Sequence, residues 1–286
     1  MKNHRVEYSI GGMCTCFGVS RSGYYAWLHR KPSQRHQNRQ HLDNRVKALF
    51  DRHKQRYGAQ RLRRQIGHED GTHHNLKTVA ASLQRQGLVA KAARKLKATT
   101  NSKHNLPVFD NLLEQDFTAT APNLKWVGDI TYLWTDGGRL YLAVVLDLFS
   151  RQVVGWSMPE RMTADLVCDA LQMAIFKRKR PKGVTVHSDR GSQYCSHAHR
   201  KLLGTNHMQG SMGARGNCYD NACAESFFHP LKVEAIHGER FATREAMRQT
   251  VFECIETDYN RVRLHSANGY RSPIDFGADF YQQPAS

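Results

Sequence analysis

The sequence predicts a mixed α/β domain that follows an all-helical, strongly basic region. Apolar residues recur at helical spacing early in the chain, whereas apolar runs of strand length begin only after residue 124. Those runs alternate with helical segments, as in α/β domains. The charge divides in the same way. Residues 1–120 carry 22 Lys and Arg against 8 Asp and Glu, a net charge of +14, and residues 121–286 carry 20 against 17, a net charge of +3.

Length and charge indicate two domains and a polyanionic partner. A chain of 286 residues is long enough for about two domains. A net charge of +17 favours nucleic acid over a merely soluble basic protein. We predict a helical DNA-binding region over 1–90, a basic linker over 91–122, and an α/β domain with a C-terminal helical extension over 123–286.

The first helices form a short helix-turn-helix pattern. Residues 14–30 contain a turn glycine, Gly18, followed by Ser20, which is positioned to cap the next helix. A plain helical hairpin explains this pattern about as well.

Three further helices form a second helix-turn-helix candidate. A helix over about 40–56 places apolar residues at i, i+4, i+7 and i+8 on one face. The second helix directs Leu62 and Ile66 inward. The apolar face of the third consists of Leu76, Val79, Ala80 and Leu83. The basic residues predicted to contact DNA are Arg61, Arg63, Arg64 and Lys77. A basic three-helix bundle that reads no groove is the alternative.

The α/β region begins with three strands in a meander. They are predicted at 126–133, 140–148 and 152–157, and a helix follows at 163–177. Later elements are strands at 184–188 and 208–212, a helix beginning near residue 220, and a last helix carrying Met247, Val251, Ile255 and Tyr259.

Cysteine usage and hydropathy exclude several classes of protein. The seven cysteines are odd in number and scattered, and no Cys-x-x-Cys occurs, which argues against a disulfide framework or a zinc module. The most apolar stretch, 141–149, is too short to span a membrane. We therefore expect a cytoplasmic protein without a membrane partner.

Three acidic residues stand where phosphodiester chemistry could use them. Asp129 lies inside an apolar strand, where an unpaired charge is costly. Asp189 ends a strand, and Glu225 lies in the first turns of a helix. Taken singly, each is better explained as a salt-bridged or helix-capping residue. Magnesium prefers such hard oxygen ligands, and two ions can clamp the attacking and leaving oxygens of a phosphate.

The motifs around these acids resemble those of one transposase family. Trp-x-x-Asp-Ile-Thr-Tyr occurs at 126–132, His-Ser-Asp-x-Gly-Ser-Gln-Tyr at 187–194, and Asn-x-x-Asp-Asn-Ala-x-x-Glu-Ser-Phe-Phe at 217–228. Thirty-five residues separate Asp189 from Glu225. The set resembles the integrase-type "D,35,E" transposases of the insertion-sequence-three family, second reading-frame product, and more distantly retroviral integrases.

The resemblance implies a fold, a reaction and partners. The fold would be ribonuclease-H-like, with a five-stranded mixed sheet and flanking helices. Asp129, Asp189 and Glu225 would be catalytic and would hold two Mg²⁺ or Mn²⁺ ions. The substrates would be the terminal inverted repeats of a bacterial mobile element and target DNA at the nucleoid. The enzyme would act as a homo-multimer, and its active form could be a frameshift fusion to the upstream product.

The resemblance also suggests residues that contact DNA near the acids. Lys232 follows Glu225 by seven residues, which returns it to about the same helix face. Arg261, Arg263 and His265 belong to a tail motif that the family shares. A solvated surface lysine explains Lys232 about equally well from spacing alone.

Two positions depart from the family pattern. Gly128 replaces a small polar residue and is expected to weaken its strand slightly. Pro230 is expected to kink its helix and to put the direction of Lys232 in doubt. A catalytically inactive repressor of transposition therefore stays an alternative, as does a nuclease of the same fold that never joins strands.

Overall fold

The two predicted parts of the chain differ in secondary structure. The protein is described by a computed structural model that covers residues 1–91, 106–213 and 222–282. The chain divides into two compact units, Met1–Val89 and Ala90–Ser286. The first contains helices alone, whereas the five strands of the described residues all belong to the second. The predicted fold class is confirmed, and the boundaries 1–90, 91–122 and 123–286 stay a prediction.

After a 3-10 turn over Lys2–His4, the first unit continues with a capped helical hairpin. Helix α1 spans Ile10–Cys16 and α2 spans Arg21–Leu28. Between them Gly18 has a φ of +63°, which is the left-handed conformation that favours glycine. The Ser20 hydroxyl accepts a hydrogen bond from Gly23 N–H at 3.0 Å, as the sequence predicted.

Three longer helices complete the first unit. They are α3 (Gln34–Arg52), α4 (Ala59–Asp70) and α5 (Leu76–Arg85). The predicted inward residues of the first two are buried: Leu42, Val46, Leu49, Phe50, Leu62 and Ile66.

The predicted apolar face of α5 is partly wrong. Leu76 is 42% exposed and Ala80 is also exposed, whereas Ser82 is buried. The cause is a polar contact with α3, in which Asp43 accepts hydrogen bonds from Ser82 Oγ at 2.6 Å and from Arg85. Hydrophobic periodicity could not predict this contact, because the buried residue, Ser82, is polar.

The second unit is built on a mixed five-stranded sheet. Its strands are β1 (Lys125–Thr135), β2 (Gly138–Asp147), β3 (Val153–Ser157), β4 (Thr185–Ser188) and β5 (Gln209–Met212). Their order is β3-β2-β1-β4-β5. The first three form an antiparallel meander, and β4 and β5 run parallel to β1.

Helices cover both faces of this sheet. Helices α6 (Ala164–Lys177) and α7 (His197–Thr205) contribute to the core on one face. The other face packs against α8 (Ala222–Pro230) and α9 (Arg244–Phe252). A β-carbon on Gly155 of β3 would lie 2.1 Å from the Ala170 carbonyl oxygen, so α6 approaches the sheet as closely as only glycine permits.

The C-terminal part contains one more helix than predicted. Helix α9 continues as a π-helix over Glu253–Tyr259, and the predicted inward residues Met247, Val251, Ile255 and Tyr259 are all buried. It is not the last helix, because α10 follows over Pro273–Gln282. The start signals were present, since Ser272 Oγ accepts from Asp275 N–H at 3.2 Å and Pro273 suits a first turn.

Candidate active site

Asp129 lies where β1 loses a neighbouring strand. Among the described residues, β4 pairs with β1 only over 125–127, so the β1 edge beyond Val127 is open on that side. Asp129 is half-buried and accepts a hydrogen bond from Ile130 N–H at 2.7 Å. Burial raises the pKa of Asp129 well above its usual range, and the charges of Asp189 and Glu225 raise it further.

The register of the parallel pair β1–β4 brings Asp189 beside Asp129. Val127 pairs with His187, so extending the same register by two residues sets Asp189 level with Asp129. The Asp189 carboxylate accepts a hydrogen bond from Gly191 N–H at 3.0 Å, which holds the turn after the strand. Two acids on adjacent strands thus meet at the carboxyl end of β4, where α/β sheets commonly place ligands.

Glu225 approaches from α8. It is exposed in the first turn of that helix, while Phe227 on the same helix is fully buried in the core. After burial and the charge of Asp189, the charge of Glu225 also contributes to the raised pKa of Asp129. Residues 217–221, the start of the third motif, lie outside the described residues.

The chemistry of the three acids fits a divalent cation. They are hard oxygen donors on three separate elements, and a bound cation would offset both the burial of Asp129 and the nearby charges of Asp189 and Glu225 that disfavour its ionised form. Their side chains do not converge into a finished ligand set. Within 1–91, 106–213 and 222–282, no three His, Cys, Asp or Glu side chains are grouped closely enough to hold an ion.

Pro230 changes the type of helix without ending it. Its φ of −62° and ψ of −38° are helical, and the chain continues as a π-helix over Leu231–Ile236. The wider π turn is visible in the 2.7 Å hydrogen bond from His237 N–H to the Lys232 carbonyl. Proline has no N–H to donate, and the hydrogen-bond pattern changes at this point, where the sequence predicted a kink.

Lys232 lies beside Asp129 despite the proline. Burial lowers the pKa of Lys232, and the Asp129 charge opposes that shift. The Lys232 Nζ atom also lies 5.3 Å from the centre of the Tyr132 ring, within cation–π range. The sequence left the direction of this side chain in doubt, and the structure directs it toward the acids.

Tyr194 is a site residue to which the sequence analysis assigned no role. Its ring lies on Gly128, where a β-carbon would be 3.2 Å from the Tyr194 hydroxyl oxygen. That hydroxyl is buried and has no hydrogen-bond partner among the described residues. Burial raises the pKa of Tyr194 well above its usual range, and the charges of Asp129 and Asp189 contribute. The glycine at position 128, where the family has a small polar residue, was the sequence feature that could have indicated this close packing.

The tail residues differ in their surroundings. Arg263 forms an ion pair with Glu234, and both side chains are only 12% exposed. The His265 ring packs edge-on against Tyr259 at 4.8 Å. Arg261 is exposed and donates to the Glu256 carbonyl at 3.2 Å. Their predicted contacts with DNA stay predictions.

The basic residues predicted to bind DNA in the first unit are not equally accessible. Arg64 and Lys77 are exposed, whereas Arg61 and Arg63 are half-buried. Arg61 lies over the Tyr57 ring at 5.6 Å. The backbone N–H of Lys77 donates to the Asn75 side-chain oxygen at 2.9 Å, which caps α5.

Among the described residues, none forms a helix long and apolar enough to cross a bilayer.

Family comparisons agree with the motifs. An integrase core domain family matches residues 119–218, and a second integrase core domain family matches residues 225–278. An HTH-like domain family matches residues 37–95, which is the second of the two helix-turn-helix candidates. The hairpin of α1 and α2 lies outside that match.

Similar proteins cover nearly the whole chain. The transposase InsF for insertion sequence IS3A of Escherichia coli K12 is 58% identical over 96% of this chain and 96% of its own length. An uncharacterized 31 kDa protein of insertion element IS600 from Shigella sonnei is 43% identical over 96% of this chain and 100% of its own length. Among solved structures, the simian T-cell lymphotropic virus intasome matches 65% of this chain and 64% of its own chain, with 18% identity and a TM-score of 0.49.

Proposed function

The chain belongs to the IS3 family of transposases, and we propose that it cuts DNA at the ends of its own insertion sequence and joins the freed 3′-hydroxyl to a target. The observation that carries this proposal is the β1–β4 register, which sets Asp189 level with Asp129, together with the charge of Glu225 that reaches Asp129 from α8. The three acids come from a strand, a strand end and a helix, and both other acids act on Asp129. Acids isolated on a surface would not interact in this way.

In this proposal the three acids are the ligands of two Mg²⁺ or Mn²⁺ ions. When bound, the ions neutralise charge on the phosphate and activate the attacking oxygen. Asp129 and Asp189 hold their positions through the β1–β4 register, and Glu225 closes the site from α8. The Lys232 ammonium binds a phosphate of the strand beside Asp129. No Ser or Tyr nucleophile is needed, so no covalent link between protein and DNA forms.

The first unit supplies recognition of the DNA ends. The HTH-like region over 37–95 binds the terminal inverted repeats, with Lys77 and Arg64 facing solvent for phosphate contact. Because two element ends must be held together, the active form is a homo-multimer. It acts on bacterial DNA at the nucleoid, in a form fused by frameshifting to the upstream reading-frame product.

The test is strand transfer by the purified protein, alone and fused to its upstream reading frame. Labelled element-end DNA is incubated with Mg²⁺ or Mn²⁺, and cut and joined products are separated by size. Asp129→Asn, Asp189→Asn and Glu225→Gln are each expected to lower the rate by roughly 10³-fold or more. Asp169→Asn changes an exposed carboxyl on α6 and serves as the matched control, with the wild-type rate expected.

Three outcomes would contradict the proposal in different ways. Specific binding without cutting in either metal would favour the inactive repressor. Cutting without joining would favour a nuclease of the same fold. Triad variants with the wild-type rate would remove the three acids from the reaction.

A further inference from the structure

A track of alternating cationic and aromatic side chains leads away from the acids. Lys232 lies beside Asp129 and over the Tyr132 ring, at 5.3 Å from its centre. Tyr132 meets the Trp134 ring edge-on, with 6.1 Å between ring centres. The guanidinium of Arg139 lies over Trp134, 4.2 Å from the ring centre. We call Lys232, Tyr132, Trp134 and Arg139 the aromatic track.

The outer end of the aromatic track is open to solvent. Trp134 is 57% exposed, and it is the one residue of β1 in the exposed class. Trp134 lies near the end of β1, next to the turn into β2, and Arg139 of β2 is its direct cross-strand partner. A large aromatic ring held in place by its neighbours and left exposed is suited to stacking against a flat ligand.

Charge and composition identify the ligand as a nucleic acid strand. The aromatic track contains two cations and two aromatic rings, and no acid belongs to it. Proteins that bind single-stranded nucleic acid combine a positive groove for phosphates with rings on which bases stack. A protein partner would need apolar area beyond one ring, and the track offers little.

The length of the aromatic track suits a strand that continues from the acids. Trp134 follows Asp129 by five residues, which is about 17 Å along an extended strand. That is roughly five base steps at 3.4 Å per step. Because side chains alternate along a strand, Trp134 and Tyr132 lie on the opposite face of β1 from Asp129. Lys232, beside Asp129 and over the Tyr132 ring, links them at the open edge of β1. A strand whose phosphate lies at the acids reaches Trp134 by passing Lys232 at that edge.

We propose that Trp134, backed by Arg139, stacks on an unpaired base of the DNA strand that runs through the active site. This inference rests on the proposed function for the identity of the strand. It adds a substrate preference to that function, namely for DNA that is unpaired beside the bond to be cut, because the ring can stack only on an unpaired base. The competing explanation is that Trp134 and Arg139 only stabilise the β1–β2 hairpin as a cross-strand pair.

Binding of single-stranded DNA by the full chain separates these explanations. A labelled oligothymidylate is titrated in EDTA, so that no cleavage occurs, and fluorescence anisotropy is recorded. We expect Trp134→Ala to weaken binding by about 5- to 100-fold, and Trp134→Phe by about threefold or less, because one stacked ring is lost or kept. Phe176→Ala removes a ring that is 79% exposed on α6 and is expected to bind like wild type.

Two further measurements keep the test decisive. Quenching of tryptophan fluorescence on binding should shrink in Trp134→Phe, because the stacked ring is gone. If Trp134→Ala fails to fold, Trp134→Leu retains an apolar side chain on the hairpin but offers no ring face. Affinity for fully paired DNA should change less than about twofold in every variant, since the ring has no unpaired base to meet.

The outcomes distinguish this proposal from the proposed function. Wild-type single-strand affinity in folded Trp134→Ala or Trp134→Leu, or unchanged quenching in Trp134→Phe, would overturn the stacking site and leave strand transfer unaffected. Loss of single-strand binding in these variants, from a wild-type protein that binds but never cuts, would support the stacking site and overturn the proposed function.

Discussion

The hydroxyl of Tyr194 lies 3.2 Å from the place that a β-carbon on Gly128 would occupy. The two residues are partners in packing, since the ring occupies the space that a side chain would need. The hydroxyl is buried without a hydrogen-bond partner among the described residues, beside two acids whose charges reach it. Gly128 therefore has a packing role that its effect on strand propensity alone did not indicate.

Removing the buried hydroxyl should stabilise the protein. We expect Tyr194→Phe to raise the free energy of unfolding by about 1 kcal/mol, because an unsatisfied buried polar group is lost without loss of the ring. Urea unfolding in EDTA measures the change, and Tyr281→Phe, an exposed tyrosine on α10, should have no effect. A loss of stability in Tyr194→Phe would mean that the hydroxyl has a partner after all.

Restoring a side chain at Gly128 should have the opposite effect. Gly128→Thr is expected to lower the free energy of unfolding by about 1–3 kcal/mol through overpacking against the Tyr194 ring. In a Tyr194→Leu background the same substitution should be less harmful, because the phenol no longer occupies the space. A double-mutant cycle with no coupling between the two positions would contradict this contact.

The raised pKa of Asp129 predicts a pH dependence in the absence of metal. In the folded protein the pKa lies above the unfolded value, so the neutral form is favoured and the contribution to stability is complete below the unfolded pKa. That contribution is lost as pH rises through the folded pKa. In EDTA, the stability of Asp129→Asn relative to wild type should therefore increase as pH rises. A difference that is constant from about pH 3 to pH 8, across the usual aspartate pKa of about 3.9, would contradict it.

The ion pair of Arg263 and Glu234 predicts a structural effect that can be separated from DNA binding. Both side chains are largely buried, so Arg263→Met is expected to cost about 3–5 kcal/mol of unfolding free energy by removing the cation of a largely buried ion pair with Glu234. Arg261→Ala changes an exposed neighbour and should leave stability unchanged while weakening DNA binding. Equal stability of the two variants would contradict the structural role of Arg263.

Lys77 should contribute to DNA affinity through phosphate. Lys77→Ala is expected to weaken binding to element-end DNA and to random duplex by a similar factor, and to reduce the slope of log affinity against log salt concentration by about 1. Lys47→Ala changes an exposed lysine on α3, outside the last two helices of the HTH-like region, and is the matched control. Unchanged salt dependence in Lys77→Ala would remove Lys77 from the interface.

Much of the fold followed from periodicity and motifs. The strands, their meander and the buried faces of α3, α4 and α9 came from apolar spacing, because each of those faces is formed by apolar residues alone. Periodicity failed at α5, where Ser82 is buried through its bond to Asp43. It also missed α10, whose start depends on local capping by Ser272.

The sequence selected the acids of the candidate site, whose role as metal ligands stays a prediction, but it did not indicate the geometry around them. The motif spacing selected Asp129, Asp189 and Glu225, and the β1–β4 register explains why two of them meet. The burial of Tyr194, the π-helical turn after Pro230 and the position of Lys232 depend on three-dimensional packing. None of these three features can be predicted from the spacing of residues within one helix or strand.

The most direct test of the central claim is the binding of Mn²⁺ to the full chain on element-end DNA, measured by electron paramagnetic resonance. The claim is that three acids, which do not form a finished ligand set in the described structure, become metal ligands. We predict two bound ions in wild type and in Asp169→Asn, and loss of at least one ion in each of Asp129→Asn, Asp189→Asn and Glu225→Gln. The same number and affinity of bound ions in wild type and all three triad variants would contradict the account.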